Sequence, residues 1–318
     1  MTEPQQLISV LLATYNGGRF LREQLDSIYA QSWRNMEVIA GDDCSSDDTV
    51  AILEEYRRSH GLRYEVNRDN VGFLRNFEKL FSACRGEFIA LADQDDVWLP
   101  EKLERLMAGR GTASLVYSDA SLIDARGREL PGALMATSGV QAVSGHNFNY
   151  LVCNSCVTGC TVLFRRELLD VALPIPECEI FHDWWLALVA SKTGGVSYLP
   201  QKLVNYRQHG ANQAGVSRKS DLVSRIGAHL GSETRRRKAA YYGLLRDRGA
   251  LLPLLGERLA LTGSELIFLR DMERYGSSLL DSRPHLSSLL LAWRHRGRLF
   301  PMATPVERLF FIASSLVK

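Results

Sequence analysis

The chain has 318 residues, 46% of them hydrophobic, with 38 Lys and Arg against 36 Asp and Glu. Charged residues at 23% and aromatics at 9% are ordinary globular values, which excludes wholesale disorder, a collagen-like repeat and a fibrous rod. The near-neutral total hides an asymmetry: residues 218–318 hold 18 Lys and Arg against 9 Asp and Glu, and residues 1–217 hold 20 against 27.

In chain order, the apolar run Leu7–Thr14 predicts a strand covered on both faces. After the Asn16-Gly17-Gly18 break, Phe20, Leu21, Leu25 and Ile28 recur at helical spacing. Met36–Ala40 predicts a second strand, and Asp47 or Asp48 caps a helix running to about Arg58. Leu62–Val66, Phe73–Cys84 and Glu87–Ala92 continue as strand, helix and strand. Such alternation predicts a mostly parallel α/β sheet flanked by helices, with ligands bound beyond the carboxyl ends of its strands. From Ala113 the rhythm changes. Strands are expected at Ser114–Ser118 and Val157–Phe164, and a turn-rich stretch at Asp124–Leu130. A short helix near Glu167–Val171, a helix over His182–Ser191 and two short strands at Val196–Leu199 and Leu203–Arg207 follow. Beyond Ser217 the pattern is helical and amphipathic, so the predicted division is 1–215 and 216–318.

Polar clusters follow the early strands directly. Asp93-Gln94-Asp95 puts two carboxylates at i and i+2, a spacing that aims both the same way in extended chain and suits a hard divalent cation such as Mg2+ or Mn2+. The blander reading is a solvated turn with Asp96 capping the next helix. Asp42-Asp43 ends the second strand, where a carboxylate can accept from a nucleobase or ribose, or simply cap. Asp183 opens a helix beside Trp184-Trp185. Aromatic walls would make it more basic and the helix start less so, and a plain cap is the alternative. Arg207 is placed to clamp a phosphate, and His209 to bind a metal or a phosphate oxygen, although a His-Gly pair is more often a turn.

The opening residues lack a basic leader segment, no stretch reaches the ~20 apolar residues of a bilayer span, and six cysteines read as reduced cytosolic thiols. Cys153, Cys156 and Cys160 read as buried or half-buried thiols rather than a zinc site, since no second pair follows. No G-x-x-x-x-G-K-[ST] loop, no G-x-G-x-x-G after the first strand and no G-x-S-x-G elbow is present.

Together these segments resemble the family 2 glycosyltransferases of the GT-A fold. The matching text is LISVLLATYNGGRFLREQLDSIYAQ, EVIAGDDCSSDDT, NVGFLRNFEKLFSACRGEFIALADQDDVW, HDWW and YRQHGAN, over about the first two thirds of the chain. ADQDDVW with HDWW and YRQHG is similar to bacterial enzymes of O-antigen and capsule synthesis, among them rhamnosyltransferases. The resemblance implies Thr14, Tyr15 and Asn16 at the nucleotide, Asp42 or Asp43 at the base or ribose, Asp93 at the ribose, Asp95 on Mn2+ or Mg2+, and Asp183 as catalytic base. The processive members' Gln-x-x-Arg-Trp motif is missing, so one sugar per acceptor is expected.

The implied donor is a dTDP- or UDP-sugar, with dTDP-L-rhamnose as the first candidate. The implied acceptor is a glycan or a polyprenyl-diphosphate-linked glycan at the cytoplasmic face of the membrane. The basic third, with Trp293, Phe300, Phe310 and Phe311, either lies peripherally on anionic headgroups or packs on the catalytic core. Nucleic acid is not an expected partner, because no recognition motif accompanies the charge. A nucleotidyltransferase and an inactive sugar-nucleotide-binding scaffold are the rival readings.

Overall fold

The computed structural model describes residues 5–138, 140–176, 181–209, 252–280 and 286–299. The front of the chain realises the predicted alternation as β1 (Ile8–Thr14), α1 (Leu21–Tyr29), β2 (Met36–Asp42), α2 (Thr49–His60), β3 (Arg63–Val66), α3 (Phe73–Ala83) and β4 (Phe88–Ala92). β5 (Val97–Trp98), α4 (Lys102–Gly109), β6 (Leu115–Asp124), β7 (Glu129–Ala133), α5 (Leu134–Ser138) and α6 (Phe148–Cys153) follow. β8 (Val162–Arg165), α7 (Leu169–Ala172), α8 (His182–Lys192) and β9 (Val196–Gln208) complete this body.

Among the described residues, nine strands form one sheet in the order β3-β2-β1-β4-β8-β6-β9-β5, with β7 beside β6. β1 pairs in parallel with both β2 and β4, Thr14 opposite Asp42 and Leu12 opposite Ala92. These registers end three strands at one edge. The side chains that follow each of them, Tyr15, Asp43 and Asp93, therefore emerge together. Central strands β1 and β4 are buried almost throughout, as expected of strands with helices on both faces.

Several local expectations are corrected. The strand expected at Ser114–Ser118 begins at Leu115 and runs for ten residues, and the two short strands near 196–207 are one strand with shifted register beside β6. The expected strand Val157–Phe164 survives only from Val162. Before it, Thr158 to Thr161 close a single 3-10 turn in which Thr161 donates its amide (2.9 Å) and its hydroxyl (2.7 Å) to the Thr158 carbonyl. The Cys160 carbonyl accepts from the buried Lys102 ammonium at 2.6 Å instead of from a neighbouring strand. Side-chain bonding has displaced ladder pairing here. Asp48 occupies the N-cap position of α2 without a side-chain bond, and the first helical amide, of Thr49, is satisfied by Asp47 Oδ1 at 3.0 Å.

Of the described C-terminal helices, Gly263–Leu280 and Arg296–Leu299 pack against α6, and Leu252–Arg258 and Leu286–Arg294 pack on Gly263–Leu280. Phe268, Leu269, Met272 and Tyr275 are buried in the contact, and Lys192 pairs with Glu265 at 2.9 Å. Packing on the core is thus a role of these described helices, and Ile267, Leu290 and Trp293 face solvent at 50%, 63% and 49% exposure. The boundary at 215, Phe300, Phe310 and Phe311 lie outside the described residues. No helix among the described residues is long and apolar enough to cross a membrane.

Candidate active site

Beyond the ends of β1, β2 and β4 lies a cleft of about 420 Å³. Its volume is in the range of small-molecule sites. Thr14, Tyr15, Asp43, Asp93, Asp95 and Asp183 all line it, so residues from four separate stretches of sequence meet in one place. A second cavity of similar volume, between β2, β3 and α3, shares Asn76 but contains none of these six side chains.

The two acids after β2 separate cleanly. Asp42 is buried and holds the loop together: it accepts from the Thr14 hydroxyl (3.0 Å), the Ser45 hydroxyl (2.6 Å) and the Ser45 amide (2.9 Å). Asp43 reaches the cleft wall while accepting from the Val71 and Gly72 amides, each at 2.8 Å, and from Asn67 Nδ2 at 2.9 Å. It thereby fixes the β3–α3 loop, and Asn70 and Gly72 of that loop line the cleft beside it.

Asn16 does not line the cleft. Its backbone is left-handed (φ 47°), a region that Asn tolerates, and its side chain ties two loops by accepting the Ser46 amide at 2.8 Å. Gln94 was not anticipated. Its side chain accepts from the Tyr15 amide (2.8 Å) and donates to the Tyr15 carbonyl (3.0 Å).

Asp93 and Asp95 are half-buried in the cleft, and Asp96 is fully buried rather than a solvated cap. Asp96 Oδ1 accepts the Arg207 amide at 2.9 Å. Burial, followed by the charges of Asp95 and Asp183, pushes the Asp93 carboxyl up to about 7. Burial and the charges of Asp93 and Asp95 likewise raise Asp96 well above the carboxylate range. One donor atom each of Asp93, Asp96 and Cys160 lies within 4.8 Å of the others. That inner group contains a thiol and adjoins the Lys102 ammonium, which burial pulls down to about 7 and which stands 3.1 Å over the Trp98 ring. A thiol and an ammonium do not suit a hard divalent cation. The Asp95 carboxylate fits one better: it is an oxygen donor on the cleft wall, and His209 Nε2 lies 2.7 Å from its Oδ2. The repulsion among Asp93, Asp95 and Asp183 is what a cation would relieve.

Arg207 corrects the sequence expectation of a phosphate clamp. It is 1% exposed, and its guanidinium donates to the Asp95 carbonyl (2.6 Å) and to Glu23 (2.5 Å) with the Phe20 ring 4.7 Å away. It is absent from the cleft wall and holds the Asp95 turn from behind.

Asp183 reaches the cleft from the first turn of α8, where Oδ1 accepts the Trp184 amide (2.7 Å) and Oδ2 the Gly159 amide (2.8 Å). The tryptophans do not wall it. Their indoles point inward, to the Leu151 carbonyl (2.6 Å) and the Ala172 carbonyl (2.8 Å). Phe73, Phe77 and Phe181 supply the aromatic surface of the cleft. Cys153, Cys156 and Cys160 are buried thiols outside any disulfide, as the sequence reading expects.

Comparison with known proteins points to one family and one fold. The sequence model of the family described as "Glycosyl transferase family 2" matches residues 9–170. An uncharacterized glycosyltransferase of Nostoc sp. is 24% identical over 98% of this chain and 94% of its own length. The dTDP-rhamnosyl transferase RfbG of Shigella flexneri is 27% identical over 65% of this chain and 74% of its own. Among solved structures, TarS of S. aureus in complex with UDP-GlcNAc superposes with a TM-score of 0.58 at 18% identity, over 97% of this chain and 81% of that one.

Proposed function

The chain belongs to glycosyltransferase family 2 and has the GT-A fold, and from that premise we propose that it catalyses an inverting, non-processive, metal-dependent transfer of a sugar from a nucleoside-diphosphate donor to a hydroxyl of a glycan or lipid-linked acceptor. One observation carries the reading: Asp93, Asp95 and Asp183 line a single cleft at the carboxyl edge of the parallel strands.

In this reading Thr14, Tyr15 and Asp43 receive the nucleoside, and the choice between the adjacent acids falls on Asp43 because it lines the cleft and Asp42 does not. Asp93 faces the ribose. Asp95, with His209, would hold Mn2+ or Mg2+, which when bound stabilises the charge on the departing diphosphate. Asp183 takes the proton of the acceptor hydroxyl as its oxygen bonds to the anomeric carbon and the carbon–oxygen bond to the diphosphate breaks. A base on the face opposite the leaving group gives one displacement and inverted configuration. The two backbone amides on Asp183 fix its carboxylate in place for this task.

RfbG, a relative named as a dTDP-rhamnosyl transferase, makes dTDP-L-rhamnose the first donor to test and surface polysaccharide the expected product class. We assign residues 1–215 to catalysis and 216–318 to a basic helical unit. Its solvent-facing Ile267, Leu290 and Trp293, beside Arg294 and Arg296, suit peripheral contact with anionic headgroups on the cytoplasmic face. The test is a panel of dTDP-, UDP- and GDP-sugars with Mn2+, read as nucleoside-diphosphate release and as the anomeric configuration of the product by NMR. Release with inversion supports the reading. Nucleotide-sugar synthesis from a triphosphate would establish the nucleotidyltransferase instead, and tight donor binding without turnover the inactive scaffold.

A further inference from the structure

The residue preceding Asp183 has no part in the chemistry above, yet it is the least satisfied polar group of the cleft. His182 is 6% exposed and lines the same cavity, and neither ring nitrogen has a hydrogen-bond partner. Its faces are occupied by carbon: the ring stacks on Phe77 at 4.1 Å between centroids and tilts against Phe73 at 5.9 Å. A buried donor and acceptor left unpaired cost about 1–3 kcal/mol each. A phenylalanine would fill this aromatic slot without that cost, so an imidazole here is expensive unless something completes it.

The surroundings show where a partner would stand. Gly159 lines the cleft opposite, and a Cβ added to it would lie 3.3 Å from His182 Nε2 and 3.7 Å from Asp183 Oδ2. Gly159, having no side chain, thus adjoins one unpaired imidazole nitrogen, itself closed to solvent, and one oxygen of the proposed base. Burial lowers the His182 basicity, so the ring is neutral near pH 7 and offers either an N–H or a lone pair. A neutral group that can give or receive one hydrogen bond, set in an aromatic wall, matches a sugar hydroxyl: the aliphatic ring face of a hexose packs on aromatics and its hydroxyls seek single polar contacts.

We propose that His182 reads a sugar hydroxyl through Nε2 beside Asp183, where the absence of a side chain on Gly159 lets the hydroxyl approach once the ring turns toward the cleft. This rests on the glycosyltransferase reading of the cleft and extends it to the residue that discriminates the sugar. The hydroxyl belongs either to the donor hexosyl group or to the acceptor glycan, and the experiment separates the two.

The variants are His182→Phe, which keeps the ring on Phe77 and removes both nitrogens; His182→Gln, whose amide nitrogen approximates Nε2; and Gly159→Ala, which obstructs the approach. Each is measured with the full chain for affinity toward a nucleoside diphosphate alone, affinity toward the matching nucleotide sugar, and KM for acceptor. His182→Phe is expected to keep nucleoside-diphosphate affinity and thermal stability while losing ~10–100-fold in kcat/KM, the range for an unpaired site facing a polar substrate group. His182→Gln is expected to recover part of that loss, and Gly159→Ala to reproduce it. If the loss appears in nucleotide-sugar affinity, the donor supplies the hydroxyl; if it appears in acceptor KM alone, the acceptor does. His182→Phe with both parameters within twofold of the parent overturns the proposal, and so does a loss that merely tracks a fall in thermal stability. Failure of the parent chain to bind any nucleoside diphosphate would strike the glycosyltransferase reading itself, a separate result.

Discussion

The Gln94 side chain and the Tyr15 backbone, 79 residues apart, exchange two hydrogen bonds: the Tyr15 amide donates to Oε1 at 2.8 Å and Nε2 donates to the Tyr15 carbonyl at 3.0 Å. The middle residue of the Asp-Gln-Asp turn thus joins the carboxylate loop to the loop after β1. Gly17 permits it, since a Cβ there would stand 2.1 Å from Gln94 Oε1.

Gln94→Ala is therefore expected to weaken donor binding through loss of loop alignment. Two hydrogen bonds at about 0.5–1.5 kcal/mol each bound the effect at roughly 5–150-fold in kcat/KM. Gly17→Ala should give the same defect, and the double variant should be no worse than the worse single, because both break one contact. Donor titrations on the three variants check this; additive losses would separate the two residues.

Arg207 offers a sharper contrast between sequence and structure. Arg207→Lys keeps the charge but cannot bond Glu23 and the Asp95 carbonyl together while lying on Phe20. It should lower stability by about 1–3 kcal/mol in denaturant unfolding, with donor affinity falling alongside. A phosphate-clamping arginine would instead lose diphosphate affinity at unchanged stability.

Asp95→Ala should abolish the enhancement of donor binding by Mn2+ in calorimetry, leaving metal-free binding close to that of the parent. The Asp95–His209 contact of 2.7 Å leads to a matching expectation that His209→Ala weakens the Mn2+ effect less than Asp95→Ala does.

Burial lowers the His182 pKa in the folded state, so the unfolded chain protonates this residue first as pH falls. Between the ordinary imidazole value of about 6.5 and the lower folded value, unfolding takes up a proton, and stability declines toward acid by at most ~1.4 kcal/mol per pH unit. Asp93, whose folded pKa is raised to about 7, works in the opposite direction over the same window. The readout is therefore a difference: His182→Phe should lose less stability than the parent between about pH 7.5 and about pH 5.5. Parallel curves would contradict the neutral, buried imidazole.

The parallel half of the fold was legible because its strands are continuous apolar runs followed at once by polar clusters, as in Leu7–Thr14 before Tyr15 and Glu87–Ala92 before Asp93. The segment at 157–161 was not legible: Val-Thr-Gly-Cys-Thr alternates like a strand, and only a lysine 58 residues earlier turns the Cys160 carbonyl away from the sheet. Asp183 was marked by its place at a helix start. Arg207 misled because a basic residue after a strand reads the same whether it faces a ligand or a buried carbonyl. His182 carries a signal of its own, an imidazole beside Asp183 and two tryptophans in the first turn of α8, and its unpaired nitrogens become visible only once Phe77 and Gly159 are placed around it.

Asp183→Asn tests the proposed chemistry most directly, since the amide keeps the size of the side chain and removes its capacity to take a proton. Initial rates and donor calorimetry on the same preparation should show nucleotide-sugar affinity within a few-fold of the parent and kcat reduced by ~10²–10⁴-fold, the range for loss of a general base. A variant that turns over at near-parental kcat would contradict the assignment of Asp183 as the base and the single-displacement mechanism built on it.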